Sequence, residues 1–296
     1  MDAVEPKAPV VVGIDGSARA YAAVSWAARE AQRHGCALHI VSALGDLNPH
    51  ENGIRLPQSY FADRDRAVHA HLDEAVAIAR TTRTATSSTE ITSRVLDGPA
   101  RPALLEASKS ARMVVVGSRG LGQITAALAG SVAVALAAHA QSPVVVIRGH
   151  AGQTSGTGDV VVGVDGTENS VPALAAAFEE ASLRATGLVA VHTWSPFTLP
   201  RAFDDQLDLP WDEVETAEQA VLAESLAGWT ERYPETSVTQ TVVRGRSAAE
   251  LRDRAADAEL LVVGSHGRGG FAGMLIGSTS TALLHTAECP LMIVRS

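Results

Sequence analysis

The sequence repeats itself across its two halves. Residues 10–17 read VVVGIDGS and recur at 160–167 as VVVGVDGT, an offset of 150 positions. Residues 114–120 read VVVGSRG and recur at 261–267 as LVVGSHG, an offset of 147 positions. Because both blocks keep steady offsets over the length of a domain, they indicate a duplication, and we expect the same fold twice.

The chain length agrees with two domains. Its 296 residues suffice for two domains of about 150 residues each. Residues 149–158 read GHAGQTSGTG, and their glycine, serine and threonine content predicts a flexible linker. We therefore predict a first domain over residues 1–148 and a second over residues 159–296.

Composition and charge argue against some classes of function. Hydrophobic residues make up 46% and charged residues 19%, which is typical of a globular chain that buries a core in each half. The 24 basic and 33 acidic residues give a net charge of −9, which argues against nucleic acid as a partner, since such proteins present a basic surface. Acidic residues concentrate between positions 204 and 218. This segment is either a docking face for a protein partner or a solvated helix face.

The cysteines and the apolar segments bear on the cellular compartment. Cys36 and Cys289 stand at unrelated places in the two halves, so we expect buried free thiols rather than a disulfide framework or a metal site. The first residues, MDAVEPKAPVVVGID, do not form the basic and apolar regions of a secretion signal. No apolar stretch approaches the roughly 20 residues that cross a membrane. We expect a cytoplasmic protein with no membrane partner.

Strand and helix patterns alternate along each half. Runs of branched apolar residues predict buried strands in the first half at 10–15, 37–43, 91–96, 113–117 and 143–147. Helical spacing of apolar residues predicts helices over 60–80 and 211–229. This alternation predicts a parallel sheet with helices on both faces, joined by right-handed crossovers. Such sheets bind ligands at the carboxyl ends of strands where the winding reverses, so we expect the site just after strands one and four.

Each first strand ends in an aspartate followed by a glycine. The segment comprises Gly13, Asp15, Gly16 and Ser17 in the first half and Gly163, Asp165, Gly166 and Thr167 in the second. The carboxylate could accept hydrogen bonds from a ribose hydroxyl, and the glycine allows a sharp turn. It could equally start the next helix as an N-cap. The segment by itself leaves both interpretations open.

A spaced glycine motif follows the fourth strand in both halves. Its members are Gly117, Gly120, Gly130 and Ser131 in the first half and Gly264, Gly267, Gly277 and Ser278 in the second. Glycines expose backbone amides to an anion, and the serine begins a helix whose first N–H groups and dipole favour a phosphate. The alternative is a plain glycine turn with a serine cap. The same spacing in both copies favours phosphate binding.

Other nucleotide-binding motifs are missing. The two lysines, Lys7 and Lys109, lie far from either glycine motif, which excludes a P-loop. Neither copy has the third glycine of the dinucleotide fingerprint, so we do not expect NAD.

Together these motifs resemble the ATP-binding branch of the universal stress protein family. Both copies carry the family's G-x2-G-x9-G-[ST] spacing after the fourth strand and the aspartate that ends the first, and the resemblance spans nearly the whole chain. It implies an α/β fold of two tandem Rossmann-like domains of the adenine nucleotide α-hydrolase-like type. Each would be an open five-stranded parallel sheet of order 3-2-1-4-5 with helices on both faces. It also implies an ATP site in each domain, with or without Mg²⁺.

The resemblance assigns roles to the motif residues. Asp15 and Asp165 would contact ribose and adenine, while Ala43 and Thr193, which close the second strands, would flank the adenine. Ribose and phosphates would be held by the motif glycines and serines together with the residues that follow those serines, Val132 and Thr279.

Charged residues within the glycine motifs leave alternatives open. Arg119 and His266 occupy matching positions in the two copies, and Arg268 lies two residues beyond His266. The arginines could reach phosphates or be solvated loop charges. The second copy is closer to the family pattern than the first, which puts equal affinity of the two sites in question.

Three functions of different class remain open. The one we favour is a regulator of stress response or growth control that responds to bound ATP and acts on an unidentified protein partner. The second is a slow ATPase or phosphotransferase using the same pockets, with His266 as its only tempting base. The third is a dimerisation scaffold whose pockets do not bind.

The resemblance also suggests how domains associate. The last strands, Val144–Arg148 and Leu291–Arg295, would pair edge to edge, and two chains would form a homodimer. The alternative is that their terminal arginines blunt these edges.

Overall fold

The structure, a computed structural model, describes residues 7–45, 57–84, 88–118, 129–148, 158–195, 210–268 and 275–295. The chain divides into two compact units, Met1–Gln153 and Thr154–Ser296. The division falls within the segment 149–158 that we predict as the linker, of which the structure describes Gly158.

The first unit alternates strands and helices. Its elements are, in chain order, β1 (Val10–Ile14), α1 (Ala18–His34), β2 (Leu38–Ala43), α2 (Gln58–Thr82), β3 (Ile91–Leu96), α3 (Ala100–Ala107), β4 (Met113–Gly117), α4 (Ser131–His139) and β5 (Val144–Ile147). The strands lie in the order β3-β2-β1-β4-β5, and every neighbouring pair is parallel. β1 is central, since Val12 is in register with Ile40 of β2 on one side and with Val115 of β4 on the other.

The second unit repeats this arrangement. Its elements are β6 (Val160–Val164), α5 (Val171–Arg184), β7 (Leu188–Trp194), α6 (Trp211–Leu226), α7 (Trp229–Arg232), β8 (Val238–Arg244), α8 (Ser247–Arg254), β9 (Leu260–Gly264), α9 (Ser278–Thr286) and β10 (Leu291–Val294). The strand order is β8-β7-β6-β9-β10, again parallel throughout. Counted within each unit, both orders are 3-2-1-4-5, which confirms the predicted fold class.

The inner strands of each sheet are covered on both faces. Val10, Val11 and Val12 of β1 are all buried, as are four consecutive residues of β9, Leu260–Val263. Successive side chains of a strand point to opposite faces, so consecutive burial requires packing on both sides of the sheet. In the first unit α1 packs against α2, and α3 against α4. Continuous valine and leucine runs are therefore the sequence signal of this doubly covered sheet.

One predicted helix is wrong at its C-terminal end. The prediction over 211–229 merges two elements, since α6 ends at Leu226 and α7 begins at Trp229. Gly228 lies between them with a φ of 80°, a left-handed conformation that interrupts a helix and that glycine adopts readily. The other predicted helix, over 60–80, lies inside α2, and the predicted strands agree with β1–β5 to within one residue at each end.

Both cysteines are buried free thiols, as the sequence predicts. Burial raises the pKa of Cys36 and raises that of Cys289 to about 12, so each thiol is protonated at neutral pH. Within the described ranges, no helix combines the length and the apolar character needed to span a membrane.

Candidate functional site

A cavity of about 420 Å³ opens at the carboxyl ends of β6 and β9 in the second unit. Its volume lies in the range of roughly 300–1,000 Å³ that is usual for small-molecule sites. The predicted residues that line it are Gly163, Asp165, Thr193, Gly264, His266, Gly267, Gly277, Ser278 and Thr279. The structure thus brings the segment after strand one and the motif after strand four to one cavity.

Asp165 has two carboxylate oxygens in different environments. Its Oδ1 accepts hydrogen bonds from the backbone N–H of Thr167 at 2.8 Å, from the Thr167 hydroxyl at 2.7 Å and from the Ser170 hydroxyl. Its Oδ2 is buried and has no hydrogen-bond partner among the residues that the structure describes. The fold therefore holds the carboxylate rigidly by one oxygen and leaves the other available to a ligand in the cavity.

The N-cap interpretation of the aspartates is wrong. Ser17 is the N-cap of α1, and its hydroxyl accepts from the backbone N–H of Ala20 at 3.2 Å. Thr167 has the same place before the short 3-10 turn that leads into α5. The aspartates instead stabilise the turn before the N-cap, since the Oδ1 atoms of Asp15 and Asp165 accept hydrogen bonds from the backbone N–H groups of Ser17 and Thr167.

Glycines allow the motif after strand four to approach the next helix closely. The N–H of Gly277 donates to the carbonyl of Ser265 at 2.7 Å, and a Cβ on Gly277 would stand 3.2 Å from that same oxygen. Ser278 begins α9, whose first N–H groups have no partner within the helix. The cavity is therefore bordered by backbone amides and a serine hydroxyl, a combination suited to an anion.

The glycines around the end of strand one support the site. Gly163 leaves room for Leu251 of α8, since a Cβ would be 3.0 Å from its Cδ1. Gly166 has a φ of 75°, and a Cβ there would overlap Val221. Gly166 and Thr167 are not among the residues that line the cavity, and Thr167 instead holds Asp165. In the first unit Gly13 clears Leu104 in the same way, and Gly16 has a φ of 82°.

The second strand contributes a polar edge to the cavity. The hydroxyl of Thr193 donates to that of Ser247 at 2.6 Å, and both residues line the cavity with Val191 and Leu251. Thr193 is the penultimate residue of β7, which extends one residue further because Trp194 is in register with Arg244 of β8. Sequence reasoning missed Ser247, which lies 54 residues from Thr193.

Arg268 lies at the cavity within a cluster of charged groups. Its Nε donates to the backbone carbonyl of Asp165, and its Nη1 and Nη2 each lie 3.4 Å from Oε2 of Glu218. Glu218 also lies 2.6 Å from Nε2 of His192, a fully buried side chain. Burial alone would raise the pKa of Glu218, but the hydrogen bond from His192 and the charge of Arg268 outweigh it and hold that pKa below its ordinary value.

His266 is oriented by its neighbour. Its Nδ1 lies 3.0 Å from the hydroxyl of Ser265, which is buried. The matching position in the first copy is Arg119. Chemistry that needs a histidine base at this position would therefore belong to the second copy.

The first unit places its predicted residues in the same arrangement. Ala43 ends β2, Gly117 ends β4, and Ser131 and Val132 begin α4 after Gly130. The N–H of Gly130 donates to the carbonyl of Ser118 at 2.8 Å, which matches the contact of Gly277. Nη1 of Arg19 donates to the Ser118 hydroxyl at 3.0 Å. The predicted residues Arg119 and Gly120 lie outside the described residues.

The model of the universal stress protein family matches residues 8–148 and again residues 157–295. The chain belongs to the universal stress protein family. The two matches confirm the tandem form that the repeat predicts. This universal stress protein is 37% identical over 310 residues to a universal stress protein of Mycobacterium tuberculosis, which covers 100% of this chain and 97% of the relative. It is 38% identical over 296 residues to one of Mycolicibacterium smegmatis, covering 97% of this chain and 96% of the relative.

A solved structure shows the same fold. The crystal structure of a universal stress protein from Archaeoglobus fulgidus aligns with a TM-score of 0.68, covering 98% of this chain and 97% of that chain. Its sequence identity is 16%, so the likeness concerns the fold.

Proposed function

We propose that this universal stress protein binds ATP in each domain and acts in the cytoplasm as a nucleotide-dependent regulator of stress response or growth control. The observation that carries the proposal is Oδ2 of Asp165, a residue that lines the cavity, because this oxygen is buried and has no hydrogen-bond partner among the described residues. A buried acceptor left without a hydrogen bond costs about 1–3 kcal/mol. A ribose hydroxyl bound there would donate to Oδ2 and remove that cost.

The glycine motif supplies the complementary half of a nucleotide site. Gly264, Gly267 and Gly277 border the cavity with backbone, and Ser278 and Thr279 present the first turn of α9. Amides at a helix N-terminus stabilise negative charge, so they suit the phosphates of the same ligand whose ribose meets Asp165.

Mg²⁺ fits this site as a companion of the triphosphate. Among the described residues that line the cavity, Asp165 is the one that carries a carboxylate. Magnesium commonly binds through one or two carboxylates, substrate phosphates and water rather than in a cage of protein ligands. The metal would therefore be held mainly by the nucleotide, and it would screen the phosphate charge.

The presence of a candidate catalytic base, His266, in only the second copy favours regulation over catalysis. Fast phosphoryl transfer requires a placed base or a group that positions water. His266 contacts Ser265, and the first copy carries Arg119 in its place. A protein that binds ATP in each domain but carries a histidine at this motif position in one domain only is better suited to nucleotide sensing than to turnover in both domains.

Calorimetric titration of the full chain with ATP tests the proposal. We expect two ATP molecules per chain, and one in Asp165→Asn, because the amide keeps the size of the carboxylate but presents N–H donors where an acceptor is needed. Asp15→Asn should remove the other site. The matched control is Asp159→Asn at the opposite end of β6, where Asp159 is exposed and accepts from the N–H of Gly187 at 3.0 Å. Unchanged stoichiometry and affinity in Asp165→Asn would exclude that residue from the site, and no binding to the wild-type chain would favour the scaffold.

Phosphate release separates the regulator from the slow ATPase. We expect turnover far below the roughly 1 s⁻¹ at the low end of typical enzymes. Faster release that disappears in His266→Ala would establish the ATPase instead.

A further inference from the structure

We infer that His192 and Glu218 hold Arg268 so that it fixes the glycine motif of the second domain, and that this anchor slows nucleotide release from the second site relative to the first. The inference rests on the proposed ATP binding for its effect on release. Its structural part, the fixing of the motif, stands on the contacts of the three side chains. We call His192, Glu218 and Arg268 the arginine anchor.

The anchor starts from a histidine whose hydrogen bonds fix its ring. Nδ1 of His192 lies 2.8 Å from the backbone carbonyl of Val164, and because a carbonyl oxygen only accepts, Nδ1 is the donor. Nε2 lies 2.6 Å from Oε2 of Glu218, so these two atoms form a hydrogen bond. The ring is fully buried on β7, and it ties α6 to the carboxyl end of β6.

Arg268 extends this connection to the glycine motif. Its guanidinium contacts three elements, through the carbonyl of Asp165 after β6, Nε2 of His192 at 3.3 Å and Oε2 of Glu218 at 3.4 Å. The guanidinium donates to the Asp165 carbonyl and to the Glu218 carboxylate, which lie in different directions, and a lysine cannot do so in the same geometry. His192 takes part by holding that carboxylate through Nε2. Arg268 directly follows Gly267, and a Cβ on Gly267 would be 3.2 Å from Oδ2 of Asp165. The anchor therefore restrains the backbone next to Oδ2 of Asp165, a residue that lines the cavity.

The first domain is a natural comparison without the anchor. Ser42 stands in place of His192 and makes the same contact, since its hydroxyl donates to the carbonyl of Ile14 at 3.1 Å. An offset of 150 places Val68 opposite Glu218, and the structure supports that offset because His71 and Val221 lie against the matching Gly16 and Gly166. The offset of 147 places Leu121 opposite Arg268. Ser42, Val68 and Leu121 carry no charge, so they cannot form an ionic cluster.

An already ordered binding segment affects mainly the release of a ligand. When the bound conformation is held in place beforehand, less ordering is required on binding, and differences in affinity between related sites appear mostly in dissociation rates. The two sites of one chain should therefore release the same nucleotide at different rates.

The test follows a fluorescent ATP analogue as it leaves the full chain after mixing with excess ATP. We expect two phases in the wild type, of which Asp165→Asn removes the slow one. Arg268→Leu, which introduces the residue of the first copy, should speed the slow phase by about tenfold, the change expected for loss of a charge-assisted contact. Glu218→Gln should act in the same direction at nearly unchanged side-chain size, and the fast phase should stay the same in both variants.

Arg252→Leu is the matched control. Arg252 lies in the same domain, pairs with Asp253, and has a side chain 42% exposed, the same fraction as Arg268. Arg252 lies on α8 and is not among the residues that line the cavity, so its replacement should leave both phases unchanged.

Hydrogen exchange without nucleotide tests the structural part separately. Amides of residues 264–268 should exchange faster in Arg268→Leu and Glu218→Gln than in the wild type and the Arg252 control. Unchanged exchange in both variants would overturn the anchor. Faster exchange with an unchanged slow phase would overturn its effect on release, whereas a wild-type chain that binds no analogue would count against the proposed function and leave the exchange result to decide the anchor.

Discussion

Glu218 differs from the other acidic residues of its segment, although the sequence gives no sign of this difference. Asp212, Glu213 and Glu215 on the same helix are exposed, which agrees with a solvated helix face. Glu218 instead turns toward His192 and Arg268, and its side chain is 21% exposed. One charged segment thus contains surface carboxylates and one that is built into the fold.

The lowered pKa of Glu218 predicts a pH-dependent contribution to stability. Because its pKa in the folded protein lies below the ordinary value of 4.5, folding favours the ionised form. Its contribution is therefore present above about pH 4.5 and is lost as the pH falls through the lower folded-state pKa. We expect Glu218→Gln to lower the free energy of unfolding at pH 7 in urea titrations. Its difference from the wild type should shrink as the pH falls below about 4.5. Glu213→Gln is the control on the exposed face, and a Glu218→Gln deficit that persists in acid would contradict the prediction.

The motif glycines are poor targets for testing a ligand contact. A Cβ on Gly117 would stand 3.0 Å from the backbone carbonyl carbon of Arg19 and 3.1 Å from the N of Ala20. A helix backbone cannot yield as a side-chain tip can, so Gly117→Ala would strain the packing of α1 whether or not a nucleotide binds there. The aspartate variants separate binding from packing more cleanly.

At the scale of elements, two serines begin helices in different ways. Ser17 caps α1 with its side chain, whereas the N-cap of α9 is Gly277 and Ser278 is the first helical residue. The hydroxyl of Ser278 is not used to cap its own helix, and the residue lines the cavity. One serine caps its helix and the other lines the cavity.

This difference predicts that the same substitution, serine to alanine, affects stability at one position and ATP binding at the other. Ser17→Ala should lower the free energy of unfolding by about 1 kcal/mol, the usual effect of losing an N-cap. Ser278→Ala should leave stability nearly unchanged and weaken ATP binding. Urea unfolding and calorimetric titration of both variants test this prediction. An unchanged free energy of unfolding in Ser17→Ala would contradict the first part, and an unchanged ATP affinity in Ser278→Ala would contradict the second.

At the scale of the whole molecule, duplication has preserved the sheet and altered the sites. Both units have the same strand order and the same hydrogen bond from the helix-leading glycine to the loop serine. The second carries Thr193 and Arg268 where the first has Ala43 and Leu121. Association of two chains stays a prediction.

Each half should fold when produced alone. Residues 1–148 and 159–296 each contain five parallel strands, of which the inner ones are buried, with their own covering helices. We expect a single cooperative thermal transition by circular dichroism for each half, with the full chain as the reference. A half that melts without a cooperative transition would show that its core depends on the other.

The strand order within each domain was implied by the resemblance to the universal stress protein family. The sequence by itself determined the repeat, the alternation of strands and helices, and the two segments that border the cavity. These follow from valine runs, glycine spacing and the matching of two copies, all of which are local or periodic signals. The tertiary structure alone decided that Oδ2 of Asp165 is buried without a partner among the described residues, and that His192, Glu218 and Arg268 meet. The physical reason is separation along the chain. His192 lies 26 residues from Glu218 and 76 from Arg268, and only the parallel packing of β6, β7 and α6 brings such distant side chains within hydrogen-bonding distance.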